Sequence, residues 1–93
     1  MNRVKVEGKN SGSIRMFTLS TCIWCKKTKQ LLADMGVEYD YTDLDLLDGS
    51  EKERVKSELM KWNEKCSFPT LVINNEKCIV GYREDEIREA LGL

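Results

Sequence analysis

The junction between an apolar stretch and a polar one in IRMFTLSTCIWCKK, residues 14–27, constrains the fold more than any other part of the chain. The first six residues are mainly aliphatic, aromatic or β-branched, which predicts a buried strand. The small polar residues STC follow, and residues of this kind favour the start of a helix. The sequence therefore predicts a strand that leads directly into a helix, with Cys22 at the helix N-terminus.

This helix is predicted to end at Met35, because Gly36 favours the left-handed conformation that terminates helices. Helical spacing then puts four residues on its buried face: Cys25, Thr28, Leu32 and Met35.

A second strand and a second helix are predicted next along the chain. VEYDYTDLDL, residues 37–46, is interpreted as the strand. Ser50 and Glu53 have the S-x-x-E spacing of a capping box, which predicts the start of the helix. Its apolar residues recur at helical spacing: Val55, Leu59 and Trp62.

A hairpin and a short helix are predicted to complete the domain. FPTLVIN, residues 68–74, contains the only proline and is interpreted as the third strand. Asn74 and Asn75 suit a tight two-residue turn because asparagine tolerates positive φ, so Glu76–Val80 is expected to return as an antiparallel fourth strand. REDEIREALGL, residues 83–93, is interpreted as a helix. Its inward-facing residues are predicted to be Ile87, Ala90 and Leu91.

The order βαβαββα predicts an α/β fold with helices packed on a four-stranded mixed sheet. The first crossover joins parallel strands, and the hairpin adds an antiparallel edge. Open α/β sheets bind ligands at the carboxyl ends of their strands, where STCIWC is expected to lie. Residues 13–93 are assigned to this domain. Residues 1–12 are assigned to an N-terminal extension, in which VKVEG is either an edge strand or a frayed tail.

Composition and charge narrow the class of function. The 93 residues are 41% hydrophobic and 33% charged, which is typical of one globular domain. The net charge of -1 offers no basic surface, so neither nucleic acid nor a membrane is expected as a partner. The chain has no apolar run of roughly 20 residues and its N-terminus does not resemble a signal peptide, so a cytoplasmic location is expected. In a reducing compartment, a C-x-x-C pair indicates redox chemistry or metal binding.

The position of the two cysteines predicts a division of roles between them. Unpaired N–H groups and the positive end of the helix dipole favour a thiolate at Cys22, and Lys26 and Lys27 add positive charge unless they are an ordinary solvated face. A more acidic thiol is also a weaker nucleophile, so activation yields only about a threefold gain in rate. Cys25 lies one turn further on the same side, where it can displace a target from a mixed disulfide on Cys22.

Four further residues are candidates for contact with a substrate or for additional thiol chemistry. Pro69 pushes Phe68 into an extended conformation that can pair with a substrate backbone, although a proline that merely begins a strand is the alternative. Trp24 is interpreted either as an exposed contact for partners or as a packed side chain. Cys66 is a candidate accessory thiol near the redox face. Cys78 is expected to be a small buried side chain in an inner strand.

The ordered motifs, a strand, T-C-x-x-C at a helix start, F-P-T before a hairpin and then a glycine–aromatic pair, resemble the glutaredoxin branch of the thioredoxin fold over residues 14–93. The resemblance implies a three-layer thioredoxin-like fold, a cis Pro69, a nucleophilic Cys22 and a resolving Cys25. We expect the substrate to contact the residues around these motifs: Thr21, Trp24, Phe68, Pro69, Gly81 and Tyr82.

Two departures from glutathione-dependent glutaredoxins indicate a subfamily. Leu19 stands where those proteins usually carry a lysine, and VGYRED, residues 80–85, stands where they carry Gly-Gly-x-Asp. Both changes remove expected contacts to the carboxylates of glutathione. VGYRED is instead similar to the S-G-F-R-P-D element of NrdH-redoxins, which accept electrons from a thioredoxin-reductase-type flavoprotein and can reduce ribonucleotide reductase. The Ile-Trp pair between the cysteines matches neither the Pro-Tyr of common glutaredoxins nor the usual NrdH pair.

This resemblance implies a monomeric thiol–disulfide oxidoreductase, an electron carrier without a cofactor or metal. Its expected substrates are protein disulfides, with ribonucleotide reductase as one candidate. Its expected donor is a thioredoxin-reductase-type enzyme rather than glutathione.

Four alternatives remain. The first is a zinc site formed by all four cysteines, Cys22, Cys25, Cys66 and Cys78, although structural zinc sites usually use two C-x-x-C pairs. The second resembles iron–sulfur glutaredoxins, in which two subunits share a cluster through their first cysteines. The third is a glutathione-dependent glutaredoxin, and the fourth is a redox-inactive interaction module that keeps its C-x-x-C for packing.

Overall fold

A computed structural model describes residues 3–92 and shows a mixed five-stranded sheet with helices on both faces. The strands are β1 (Val4–Val6), β2 (Ile14–Thr18), β3 (Tyr39–Asp43), β4 (Thr70–Ile73) and β5 (Lys77–Val80). The helices are α1 (Ile23–Asp34), α2 (Gly49–Trp62) and α3 (Glu84–Ala90), and a 3-10 turn spans Leu44–Leu46. The strand order is β1-β3-β2-β4-β5. Strands β2 and β3 are parallel, and the other neighbouring pairs are antiparallel.

The predicted thioredoxin-like α/β architecture is confirmed, but the prediction of four strands is wrong. Val4–Val6 pairs antiparallel with β3, Val4 lying opposite Tyr41, so VKVEG contributes an edge strand. Only three residues of this polar terminus pair with β3, and the alternation of apolar and polar side chains over so few residues is too weak to distinguish a strand from a tail. Met1 and Asn2, which belong to the predicted extension, and Leu93, the end of the predicted last helix, lie outside the described residues.

The alternation of side chains along β2 and β4 builds three layers. Met16 and Leu71 face the side covered by α1 and α3, where they pack with Leu32 and Ile87. Phe17 points to the opposite side. There it packs with side chains from α2, the 3-10 turn and β4: Leu59, Leu44 and Val72. Both faces of the central strands are therefore buried, which explains why IRMFT is almost continuously apolar.

The first helix follows the sequence prediction at both ends. Cys22 is its N-cap and Met35 its C-cap. Gly36 has φ +70° and ends the helix in a Schellman motif. In this motif Val37 N donates to Leu32 O at 3.3 Å and Gly36 N donates to Ala33 O at 3.0 Å. The predicted face differs from the observed one in a single residue: Met35, the C-cap, is only half-buried against the core, whereas Leu31 is buried. The buried residues are Cys25, Thr28, Leu31 and Leu32.

Two boundaries after α1 were predicted incorrectly. The strand expected at 37–46 is shorter, since β3 ends at Asp43 and Leu44 turns into the core through the 3-10 turn. The capping box of Ser50 and Glu53 is also wrong, because α2 already begins at Gly49. Its N-cap is Asp48, which makes no side-chain cap hydrogen bond within residues 3–92. The three residues at helical spacing face the same cluster: Leu59 is buried, and Val55 and Trp62 are half-buried against it.

The hairpin forms as predicted, with a longer loop. Asn74 and Asn75 both have φ of 54°, and Glu76 N donates to Ile73 O at 3.1 Å. Ile73 pairs with Lys77, however, so Glu76 belongs to a three-residue loop. Strand β5 is an edge strand, which corrects the expectation that Cys78 lies on an inner one. In α3, Ile87 is buried, and Ala90 and the following Leu91 pack against the core at half exposure.

Within the part of the chain that the structure describes, no helix combines the length and apolarity needed to cross a membrane.

Leu59→Ala is expected to lower the free energy of unfolding by about 2–5 kcal/mol, because Leu59 is fully buried between α2 and the sheet. Met60→Ala is the matched control: its side chain is next along the same helix, is 45% exposed, and should change stability by less than about 0.5 kcal/mol. Equilibrium denaturant unfolding measures both values. Equal losses in the two variants would contradict the assignment of this face to the core.

Candidate active site

The Cys22 sulfur caps the N-terminus of α1. Its Sγ accepts a hydrogen bond from Cys25 N at 3.1 Å, while the Cys22 carbonyl accepts from Lys26 N at 3.1 Å. Cys22 N donates to the carbonyl of Leu19 at 3.2 Å, which closes the turn between β2 and the helix. Cys22 is partly exposed. Its sulfur therefore combines access to solvent with a backbone donor and the positive end of the helix dipole, an environment that favours negative charge.

Cys25 has the opposite environment. It is completely buried, one turn below Cys22, and this burial together with a side-chain hydrogen bond to Cys22 raises the pKa of its thiol to about 12. A backbone hydrogen bond from Leu19 and the charge of Lys29 act in the other direction and lower it. At neutral pH Cys25 is therefore a thiol, and it must lose a proton to act as a nucleophile.

A polar cluster that the sequence analysis missed lies beside α1 where β2 and β3 end. Thr18 Oγ1 is hydrogen-bonded to Asp43 Oδ1, and Lys29 Nζ lies 3.4 Å from the same oxygen. The Lys29 ammonium also lies 3.8 Å from the ring centroid of Tyr41. The parallel register pairs Thr18 with Asp43, which explains their contact. Two features of the sequence could have indicated this cluster: Lys29 follows Cys25 by four residues, and polar residues stand at the carboxyl ends of two neighbouring strands.

A second missed contact holds the segment that precedes Cys22. Ser20 N donates to Asp45 Oδ1 at 2.8 Å, and the Ser20 hydroxyl is hydrogen-bonded to the other carboxylate oxygen. These bonds lower the pKa of the Asp45 carboxyl. They tie the β2–α1 turn to the 3-10 turn, so two loops that are 25 residues apart in sequence are fixed at the same end of the sheet.

Four of the predicted substrate-binding residues line one open groove of about 280 Å³: Trp24, Phe68, Gly81 and Tyr82. Trp24 stacks on Tyr82 with ring centroids 5.9 Å apart, and Lys27 Nζ lies 4.7 Å from the centroid of the indole. Trp24 is nevertheless 51% exposed. Both interpretations of Trp24 therefore apply, since its ring packs on Tyr82 while about half of the residue's surface stays exposed.

Pro69 supports this groove from below. The Phe68–Pro69 peptide bond is cis, as the resemblance implied. Pro69 is buried, and its carbonyl accepts a hydrogen bond from Gly81 N at 2.8 Å. This bond joins the start of β4 to the glycine–aromatic pair that follows β5. Thr21, the remaining predicted contact, is exposed beside Cys22.

Neither of the other two cysteines lines this groove. Cys66 has φ 51° in the loop after α2 and packs against the cluster on the α2 side of the sheet. Cys78 is half-buried on β5, its Sγ lies 3.5 Å from the carbonyl oxygen of Trp62, and burial raises the pKa of its thiol. Among residues 3–92, the structure brings together no group of three or more His, Cys, Asp or Glu side chains that could hold a metal ion.

Known proteins resemble this chain over most of its length. The family model described as Glutaredoxin matches residues 14–79. The glutaredoxin of Methanosarcina mazei Go1 superposes with a TM-score of 0.91 at 49% identity, covering 100% of this chain and 90% of that one. Methanoredoxin of Methanosarcina acetivorans gives a TM-score of 0.89 at 50% identity, covering 92% of this chain and 90% of that one.

A smaller relative is similar by sequence. The uncharacterized glutaredoxin-like 8.6 kDa protein of the rubredoxin operon of Clostridium pasteurianum is 32% identical, over 80% of this chain and 91% of its own length. The NrdH-redoxin of Escherichia coli has a TM-score of 0.63 at 19% identity, so its similarity extends to the fold alone.

The contrast between the two cysteines predicts selective alkylation. Iodoacetamide at neutral pH is expected to modify Cys22 at least about tenfold faster than Cys25, because Cys25 is fully buried and burial raises its pKa to about 12. Peptide mapping by mass spectrometry follows each site separately. In a Cys25→Ser variant the rate at Cys22 should stay within a few-fold of wild type. Comparable rates at Cys22 and Cys25 in the native protein would contradict the geometry.

Proposed function

This chain belongs to the glutaredoxin family, a family of thiol–disulfide oxidoreductases, and we propose that it reduces protein disulfides by a dithiol mechanism. In this mechanism Cys22 attacks the target disulfide, and Cys25 resolves the mixed disulfide that results.

One observation carries the proposal: Cys22 Sγ lies 3.1 Å from Cys25 N, at the first turn of α1. Cys22 thus caps the N-terminus of α1 where a disulfide can reach it from solvent, and Cys25 is held within one helical turn of it. Because the second thiol is already in place, resolution is a first-order step that needs no second collision.

Electrons and protons balance over two steps. The Cys22 thiolate forms a bond to one sulfur of the target while the target disulfide breaks, and the other target sulfur leaves as a thiolate. Cys25 then loses its proton to solvent and attacks the Cys22 sulfur, and the second target sulfur leaves with the electron pair. The target has gained two electrons, and this chain has lost two in forming the Cys22–Cys25 disulfide.

The surface around Cys22 supports a polypeptide as the substrate. Ile23 is 62% exposed and Trp24 51% exposed, and Leu46 is 69% exposed on the 3-10 turn that Asp45 ties to Ser20. Exposed apolar side chains around a reactive group are typical of a surface that meets a partner. We propose that the groove between Trp24, Phe68, Gly81 and Tyr82 receives the residues that flank the target cysteine, with ribonucleotide reductase as one candidate target.

We propose a thioredoxin-reductase-type flavoprotein as the electron donor. Leu19 is half-buried against the cluster around Phe17, so an apolar side chain occupies the position where glutathione-dependent relatives are expected to present an ammonium group. The VGYRED element, whose sequence resembles that of NrdH-redoxins, leads into α3, with Arg83 as the N-cap and Glu84 and Asp85 in the first turn. A cytoplasmic setting and a monomeric state are part of this proposal, because the cycle requires a reducing donor and a freely accessible groove.

Cys25→Ser is expected to trap the mixed disulfide, since this variant retains the attacking thiol and lacks the resolving one. Incubation with a disulfide-containing protein, followed by non-reducing electrophoresis and mass spectrometry, should show a covalent complex through Cys22. Cys22→Ser should form none, and Cys78→Ala should behave as wild type because Cys78 is half-buried on edge strand β5 and does not line the groove. A complex through another cysteine would contradict the mechanism.

The rate of resolution in the wild-type protein is expected to rise with pH between about 6 and 9. The reason is that Cys25 must be deprotonated to attack and burial raises its pKa, so its thiolate population grows about tenfold per pH unit over this range. Single-turnover measurements of target release test this. A resolution rate that falls as pH rises would contradict the assignment of Cys25 as the nucleophile of the second step.

The choice of donor is tested by comparing turnover with glutathione and its reductase against turnover with a thioredoxin-reductase-type enzyme. The second donor is expected to support faster reduction of the same protein disulfide. Leu19→Lys should selectively increase the rate with glutathione by adding a charge for its carboxylate, whereas Leu19→Met is the control that keeps the position apolar. Faster turnover of the native protein with glutathione would favour the glutathione-dependent alternative.

A further inference from the structure

We propose that Lys29 is a positioning residue for the resolving step: its ammonium, held by Asp43 and Tyr41, stabilises the negative charge that develops on the buried sulfur of Cys25. This inference rests on the dithiol mechanism proposed above and adds to it a residue outside the C-x-x-C motif.

The geometry of α1 relates the two side chains. Lys29 follows Cys25 by four residues, so both lie on the same side of the helix one turn apart. Tyr39 Oη lies 3.4 Å from the Lys29 carbonyl oxygen, in a contact between this turn of α1 and β3. Lys29 therefore lies at the interface between helix and sheet, on the side where Cys25 is buried.

Contacts from β3 fix the ammonium group. Asp43 Oδ1 lies 3.4 Å from Nζ, and the Tyr41 ring centroid lies 3.8 Å from it. The side chains of Lys29 and Asp43 are only 21% and 13% exposed. Because the Lys29 charge is largely removed from water, it acts on a nearby sulfur through a lower dielectric constant than a solvated surface lysine does, although the Asp43 carboxylate that holds it opposes part of its field.

The groups that act on Cys25 change during the reaction. Before reaction they are the Cys22 sulfur, the Leu19 backbone donor and the charge of Lys29. Once Cys22 is part of a mixed disulfide, its sulfur carries no charge. Of the charged side chains that act on Cys25 in the free protein, Lys29 is then left to oppose the burial that disfavours the Cys25 thiolate. Its charge therefore acts in the step in which Cys25 must ionise.

The step itself is the second exchange of the cycle. The Cys25 proton passes to solvent, the Cys25 sulfur bonds to Cys22 Sγ, and the target sulfur leaves as a thiolate. Lys29 exchanges no proton or electron in this sequence. It lowers the free energy of the Cys25 thiolate, and Asp43 and Tyr41 keep it in position.

Lys29→Gln removes the charge and keeps a donor for Asp43. We expect it to shift the titration of Cys25 upward by about one pH unit, so that the thiolate is about tenfold less populated at neutral pH. The more basic thiolate is a better nucleophile by about threefold, which offsets part of this loss. Resolution at neutral pH should therefore be about three- to fourfold slower. Lys29→Arg keeps the charge and should restore most of the rate.

The experiment uses Ellman's reagent as the target disulfide. Attack by Cys22 releases one thionitrobenzoate in a first kinetic phase, and resolution by Cys25 releases a second, which Cys25→Ser identifies by lacking it. Lys29→Gln should slow the second phase and leave the first within about twofold of wild type. Lys56→Gln, which removes a lysine charge from the exposed side of α2, is the matched control and should change neither phase.

A second measurement needs no turnover. In a Cys22→Ser background, the pH dependence of alkylation at Cys25, followed by peptide mapping, should move upward by about one pH unit with Lys29→Gln and remain in place with Lys29→Arg. An unchanged profile in Lys29→Gln, or equal shifts in the Gln and Arg variants, would overturn the inference. Absence of the first kinetic phase in the wild-type protein would instead refute the proposed function, and the alkylation profile would still test Lys29.

Discussion

The parallel pairing of β2 with β3 is the constraint on which the candidate site depends. Because the two strands run in the same direction, the residues that follow each strand lie at the same edge of the sheet. The turn that leads to Cys22 follows β2, and Asp43 and Asp45 stand at the end of β3. The register brings Thr18 beside Asp43, and Asp45 reaches back to Ser20. The cysteine-bearing turn is therefore supported by residues that come from the neighbouring strand.

The environment of each cysteine fixes the order of the chemistry. Cys22 is accessible and receives a backbone hydrogen bond, whereas Cys25 is buried and its raised pKa keeps it protonated. A thiol in that state does not compete with Cys22 for an incoming disulfide. In the proposed mechanism it reacts only after Cys22 is bonded to the target. The burial that protects Cys25 from solvent also disfavours its ionisation, and the role proposed for Lys29 acts on that step.

Local sequence signals predicted those parts of the structure that depend on a few consecutive residues. The strand before Cys22, the Gly36 terminus and the Asn74–Asn75 turn follow from backbone preferences. The family motif supplied the cis Pro69. Two contacts could not be predicted in this way. Lys29 and Asp43 are 14 positions apart, and Ser20 and Asp45 are 25 positions apart, so the periodicity of a single helix or strand does not indicate that they meet. The capping box failed because the N-cap of α2 is Asp48, two residues before Ser50.

The position of Trp24 has a consequence for observing the molecule. The indole lies in sequence between the two sulfurs whose oxidation state changes in the proposed cycle, and it packs against Tyr82 while about half of the residue stays exposed. Closing a bond between the sulfurs on either side changes the surroundings of this ring directly. The second tryptophan, Trp62, lies at the end of α2 and packs on the other side of the sheet. The intrinsic fluorescence of the unlabelled protein therefore contains one emitter within the reacting unit and one outside it that serves as an internal reference.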